Sequence, residues 1–116
     1  MNNLLTQICE KKKKELKLSK KRCSFSSLEK LIQEKKNRGF KKLLINSQIK
    51  NRNNLIGEIK KASPSAGIII EDYFPENIAL NYEQSGVGAI SILTETSFFK
   101  GHLDHISMIN KRTNLP

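Results

Sequence analysis

Apolar residues recur at helical spacing through the first part of the chain. From about Asn3 to Leu18, the positions Leu5, Cys9, Lys12 and Leu16 predict an amphipathic helix with a thin apolar stripe. Ser24 to Arg38 repeats the pattern. There Leu28, Leu31 and Ile32 form the face to be buried, Ser26 or Ser27 caps the start, and Gly39 ends the element. Phe40, Leu43 and Leu44 share a face at i, i+3 and i+4 and predict a third, short helix. All three helices precede any strand.

At Asn54 the period changes from helical to alternating, and Leu55 to Lys60 reads as a strand. Leu55, Gly57 and Ile59 fall on one face, which is expected to meet the helices; Ile56, Glu58 and Lys60 fall on the other. A loop rich in Ser, Pro and Gly follows from Ala62 to Gly67. Pro75 then opens a helix with Ile78, Ala79 and Tyr82 on one side and Gly86 just past its end. Ala89 to Thr94 is a second, more apolar strand, and Leu103, Ile106 and Ile109 mark a second connecting helix. The order β, α, β, α, with crossovers of this length, predicts an α/β fold with right-handed parallel units. Asn114, Leu115 and Pro116 look like the approach to a third strand. The chain thus divides into a helical part, residues 1–53, and a βα part, residues 54–116.

Length changes the picture, because 116 residues suffice for one small domain and equally permit a piece of a larger one. The net charge of +10 is also informative once divided. Residues 1–53 hold 16 Lys and Arg against 4 Asp and Glu, while residues 54–116 hold 5 against 7. The basic character therefore belongs to the helical part, centred on Lys11, Lys12, Lys13, Lys14, Lys17, Lys20, Lys21 and Arg22. Such a run attracts phosphate backbones, yet it holds no aromatic residue for base stacking before Phe25 and no nucleic-acid motif. A solvated helix face is the plainer reading, and no nucleic-acid partner is expected.

Cys9 and Cys23 are not in a CxxC arrangement and have no His neighbour at metal-ligand spacing, so two reduced thiols are expected. No apolar run approaches the roughly 18 residues of a membrane span, and the N-terminus lacks the apolar segment of a secretory signal. A cytoplasmic location without a membrane partner follows.

Glu58 and Lys60, two residues apart on the first strand, point to the same side. An ammonium beside a carboxylate is costly to bury unless the two pair or meet a ligand; the alternative is an ion pair on a half-exposed strand. The loop directly after the strand offers the hydroxyls of Ser63 and Ser65 around Pro64, though Ser, Pro and Gly are also ordinary turn residues.

Taken together, Glu58-Ile59-Lys60-Lys61-Ala62-Ser63-Pro64-Ser65 resembles the Glu-x-Lys-x-x-Ser-Pro-Ser strand and loop of indole-3-glycerol phosphate synthases. The resemblance continues through Ile78-Ala79 and Tyr82, through Gly88-Ala89-Ile90-Ser91-Ile92-Leu93-Thr94-Glu95, and into Phe98-Phe99-Lys100-Gly101. It is close over about residues 54–116 and loose over 1–53, which would be the helical extension before the first strand. It implies a (β/α)8 TIM barrel of which this chain holds the first two βα units and stops before closure.

The activity it implies is a carbon–carbon lyase step of tryptophan biosynthesis. An indole ring is closed on 1-(2-carboxyphenylamino)-1-deoxyribulose 5-phosphate with loss of carbon dioxide and water. By the resemblance, Glu58 orients and tunes catalytic groups, and Lys60 contacts the substrate carboxylate and assists proton transfer. Ser63 belongs to the substrate-binding loop, and Phe99 lines the pocket for the anthranilate ring. A phosphorylated small molecule is the implied partner, with no metal and no organic cofactor; a fusion or complex with other tryptophan-pathway enzymes stays open. The family's main general acid, a lysine on the third strand, its general base and its phosphate loops would all lie beyond Pro116.

Three residues depart from the pattern: Ala66 stands where many relatives have lysine, Phe74 where Asp commonly precedes the helix proline, and His102 where serine is common. Loss of the Asp removes a helix cap worth about 0.5 to 2 kcal/mol. His102 and His105 read as surface or helix-start residues. Two other functions remain: a degenerate, non-enzymatic fragment whose basic helices bind RNA or another polyanion, and a phosphoribosylanthranilate isomerase, against which the Ser-Pro-Ser loop argues.

Overall fold

The computed structural model describes residues 3–33, 35–50 and 53–116. The expected helical part, 1–53, thus includes Met1, Asn2, Glu34, Asn51 and Arg52, which lie outside the described residues. The chain forms two compact units, residues 1–36 and 37–116.

In the first unit, α1 spans Leu4–Arg22 and α2 spans Phe25–Gln33. Asn3 caps α1, its side-chain oxygen accepting the Thr6 N–H at 2.8 Å, and Lys20, Lys21 and Arg22 sit in the last turn, where cations suit the helix dipole. No residue of either helix is buried, so the lysines of α1 face solvent. The cap of α2 is Ser24, whose Oγ accepts the Ser27 N–H at 3.2 Å. Ser26 and Ser27, the residues expected to cap, lie inside the helix.

The second unit opens with α3, Phe40–Ile49, which Gly39 precedes rather than ending α2. The Asn54 amide donates to the Ser47 hydroxyl and, at 3.4 Å, to the Leu43 carbonyl, which ties α3 to the start of the first strand. Strand β1 is Ile56–Ile59; β2, Ala62–Ser63, and β3, Gly67–Ile68, form a short antiparallel hairpin directly after it. Helix α4, Pro75–Gln84, leads to β4, Ala89–Ile92, and α5, Asp104–Asn110, follows. Strands β1 and β4 pair in parallel with the register Ile56↔Ala89, Gly57↔Ile90, Glu58↔Ser91 and Ile59↔Ile92. The result is a mixed α/β unit with a short parallel sheet, and the described residues form no closed barrel.

The core lies between this sheet and its two helices. Ile59 is 1% exposed against Ala79 of α4 and Ile109 of α5, with Tyr73, Ile78, Tyr82, Ile90 and Ile92 packed around them. Full burial of such an isoleucine is worth about 1.5–3 kcal/mol. Gly57 is where α4 comes closest: a Cβ there would lie 2.6 Å from Tyr82 Cε2 and 3.2 Å from Val87 Cγ1. The Tyr82 hydroxyl then donates to the Glu58 carbonyl at 3.1 Å. After α4, Val87 N–H returns to the Tyr82 carbonyl at 3.0 Å and Gly86 N–H to that of Glu83 at 3.1 Å, a Schellman closure that turns the chain into β4.

Two anchors hold the far end. The Ile90 N–H donates to the Pro116 carbonyl at 2.9 Å, so the last residues run back beside β4. The Arg38 guanidinium donates to the carbonyls of Asn110, Thr113 and Leu115 at 3.0, 2.9 and 3.1 Å, closing the end of α5.

Candidate functional site

Because β1 has a period of two and its Gly57 and Ile59 are covered by the helices, Glu58 and Lys60 stand on the opposite, open face. Ile59 meets the helices as expected. Leu55 does not: it precedes the strand and is 66% exposed. Lys60 Nζ lies 2.6 Å from Glu58 Oε1, and the two side chains are 31% and 48% exposed. An ion pair this accessible adds little stability, about 0–1 kcal/mol. The pair holds an ammonium beside a carboxylate on a solvent-accessible face. Ser91, paired in register with Glu58, shares that face.

Ser63 closes the hairpin that follows. Its Oγ accepts the Ala66 N–H at 3.2 Å and lies 3.4 Å from the Ser65 hydroxyl. The backbone N–H groups of Ile69 and Ile70 return to the Lys61 carbonyl at 2.9 and 3.3 Å, so the loop is pinned beside the end of β1. Phe99 is half-buried on the loop between β4 and α5. Since β1 and β4 run parallel, the loops that carry Ser63 and Phe99 both leave the same, carboxyl end of the sheet.

Sequence reasoning missed what holds the second loop. The Glu95 carboxylate accepts the backbone N–H groups of Ser97, Phe98 and Phe99 at 3.0, 2.6 and 3.2 Å, and its carbonyl accepts the Gly101 N–H at 2.8 Å. An acidic residue directly after a strand and two before a serine was the available signal, and a weak one.

A group of rings sits at the start of the helices. His105 meets Tyr73 edge-on at 5.5 Å and His102 at 6.2 Å, its Nδ1 accepts the His102 N–H at 3.2 Å, and Lys61 Nζ lies 5.9 Å over the Tyr73 ring. Burial pushes the Tyr73 hydroxyl above its usual range. Burial, with His102 adding to it, holds the His105 imidazole below 6.5. Among the described residues no group of three or more His, Cys, Asp or Glu is arranged to hold a metal ion, and no helix is long and apolar enough to cross a membrane.

Parallel βα units that present a charged pair and two loops at the carboxyl end of the strands place the chain among α/β proteins whose sites lie at that end. Its residues 5–116 match the family model described as indole-3-glycerol phosphate synthase. The chain belongs to that family. It is 41% identical over 114 residues to an indole-3-glycerol phosphate synthase of Aliarcobacter butzleri, covering 97% of this chain and 43% of the relative. The Prochlorococcus marinus (strain AS9601) protein of the same name is 43% identical over 118 residues, 98% of this chain and 38% of its own. A 67-residue stretch, 58% of this chain and 26% of the relative, is 54% identical to the Campylobacter fetus synthase. The chain therefore spans less than half the length of the relatives it matches.

Proposed function

We propose that this chain supplies the first two βα units, residues 54–116, and the basic helical extension, residues 1–53, of a (β/α)8 barrel that makes indole-3-glycerol phosphate in the cytoplasm. Family membership gives the reaction class. The observation that carries the reading to residues is the Glu58–Lys60 pair, 2.6 Å apart on the open face, at the end of the sheet from which the Ser63 and Phe99 loops also leave.

In this reading the Lys60 ammonium holds the carboxylate of 1-(2-carboxyphenylamino)-1-deoxyribulose 5-phosphate, and Glu58 keeps the ammonium aimed. Ring closure joins the carboxylate-bearing aromatic carbon to the ketone carbon. The ketone oxygen takes one proton to become a hydroxyl, and carbon dioxide leaves, its bonding electrons restoring the aromatic ring. The hydroxyl then takes a second proton and departs as water, while the adjacent nitrogen-bearing methylene carbon gives up a proton to form the new ring double bond. Lys60 is placed to assist proton transfer to the departing oxygen. Ser63 binds a polar group of the substrate, and Phe99 covers the aminobenzoate ring.

The test is turnover in a chimera in which residues 1–116 are joined to the part of the Aliarcobacter butzleri relative that follows its matched region. Formation of indoleglycerol phosphate above background is expected. A folded, soluble chimera that makes none would overturn the assignment.

A further inference from the structure

We propose that Glu95 is a positioning residue for the aromatic pocket: it fixes the loop that carries Phe99, and thereby the affinity for the aminobenzoate half of the substrate. The proposal rests on the function proposed above and adds a residue to it.

Three successive backbone N–H groups, of Ser97, Phe98 and Phe99, converge on one carboxylate at 3.0, 2.6 and 3.2 Å. Convergent amides of this kind form a concavity suited to an anion, and here the anion is the chain's own. Hydrogen bonds to an ionised acceptor are shorter and roughly twice as strong as neutral ones. The Glu95 carbonyl meanwhile takes the Gly101 N–H at 2.8 Å, so a single residue, three positions beyond β4, ties the rise of the loop to its return. The return is equally constrained. Lys100 has φ 57°, and a Cβ at Gly101 would lie 2.8 Å from the Leu93 carbonyl carbon and 2.9 Å from that of Thr94, so the chain passes flat against the strand end.

A loop fixed at both ends holds Phe99 in place before any ligand arrives, which lowers the ordering cost of binding. Replacing the carboxylate leaves three amides to find water and releases the ring. Lys60 and Glu58, on β1 and its end, are untouched by this change, so binding should suffer and the chemical step should not.

Two measurements decide it. In the 116-residue chain, the amide proton resonances of Ser97, Phe98 and Phe99 should shift together along a single carboxylate titration, and Glu95→Gln should abolish that common titration. Amides that do not titrate together, or that still do so in Glu95→Gln, overturn the proposal. In the chimera, Glu95→Ala should raise KM about tenfold or more while kcat changes less than about threefold. Glu95→Asp should recover KM to within about threefold, and Glu95→Ala added to Phe99→Ala should cost less than about threefold more. An unchanged KM, a loss confined to kcat, or full additivity with Phe99→Ala overturns it. If the unmodified chimera makes no product, it is the synthase assignment that fails, and the amide titration still decides whether Glu95 fixes the loop.

Discussion

Gly57 is the residue on which the helix-facing side of β1 turns, because the Tyr82 ring occupies the space a side chain would need. Gly57→Ala should destabilise the fold by about 1–3 kcal/mol through overpacking, read as a lower denaturant midpoint. Its neighbours show how far alternation can be read. A strand with one covered face fixes every side chain inside it by parity, so the placement of Glu58 away from the helices was legible in the sequence, and Lys60, one residue past β1, stays beside it through their ion pair. Leu55 was not, since parity holds only inside the strand and β1 begins at Ile56. His105 was also illegible as more than a helix-start residue, because Lys61, Tyr73 and Glu76 reach it from other stretches of the chain. Burial first, and His102 and Lys61 after it, lower its affinity for a proton, while Asp104 and Glu76 oppose them. The unfolded chain then binds the proton more readily than the folded one. Stability from this group is complete above 6.5 and is lost as pH falls through the lowered folded value. The melting temperature should therefore drop on the acid side of 6.5, and His105→Gln should flatten that slope.

At the scale of elements, α4 begins without a side-chain cap. Phe74 occupies the cap position, is 56% exposed and makes no side-chain hydrogen bond to the first turn. Phe74→Asp should supply the missing acceptor at little apolar cost and stabilise the unit by about 1 kcal/mol, measurable as a raised melting temperature. The β1, α4, β4, α5 order was legible because short apolar runs mark the two strands, helical spacing marks the two helices, and Pro75 and Gly86 bracket α4. The β2–β3 hairpin was not, since two-residue ladders inside a Ser, Pro and Gly stretch have no period to detect. The α2 boundaries failed for a related reason: three serines at Ser24, Ser26 and Ser27 offer equivalent caps, and Gly39 serves the helix after it as readily as the one before.

Across the whole chain, charge and architecture separate. The lysines of α1 lie on a helix with no buried residue, so binding to generic RNA should be weak and fall steeply with salt; sub-micromolar affinity at physiological salt would instead favour a polyanion-binding role. In the second unit, Arg38 joins the start of α3 to the segment after α5, a contact across more than seventy residues that no local pattern reveals. Arg38→Ala should cost about 1–2 kcal/mol, and Arg38→Lys should recover only part, because an ammonium lacks the fork that reaches three carbonyls. The central claim concerns the open face of β1, and steady-state formation of indoleglycerol phosphate by the chimera tests it most directly. Lys60→Ala should lower kcat by at least about tenfold, about 1.4 kcal/mol of transition-state stabilisation, with an unchanged circular dichroism spectrum. A Lys60→Ala chimera that turns over at the unmodified rate would reduce the Glu58–Lys60 pair to a surface ion pair and contradict the proposed site.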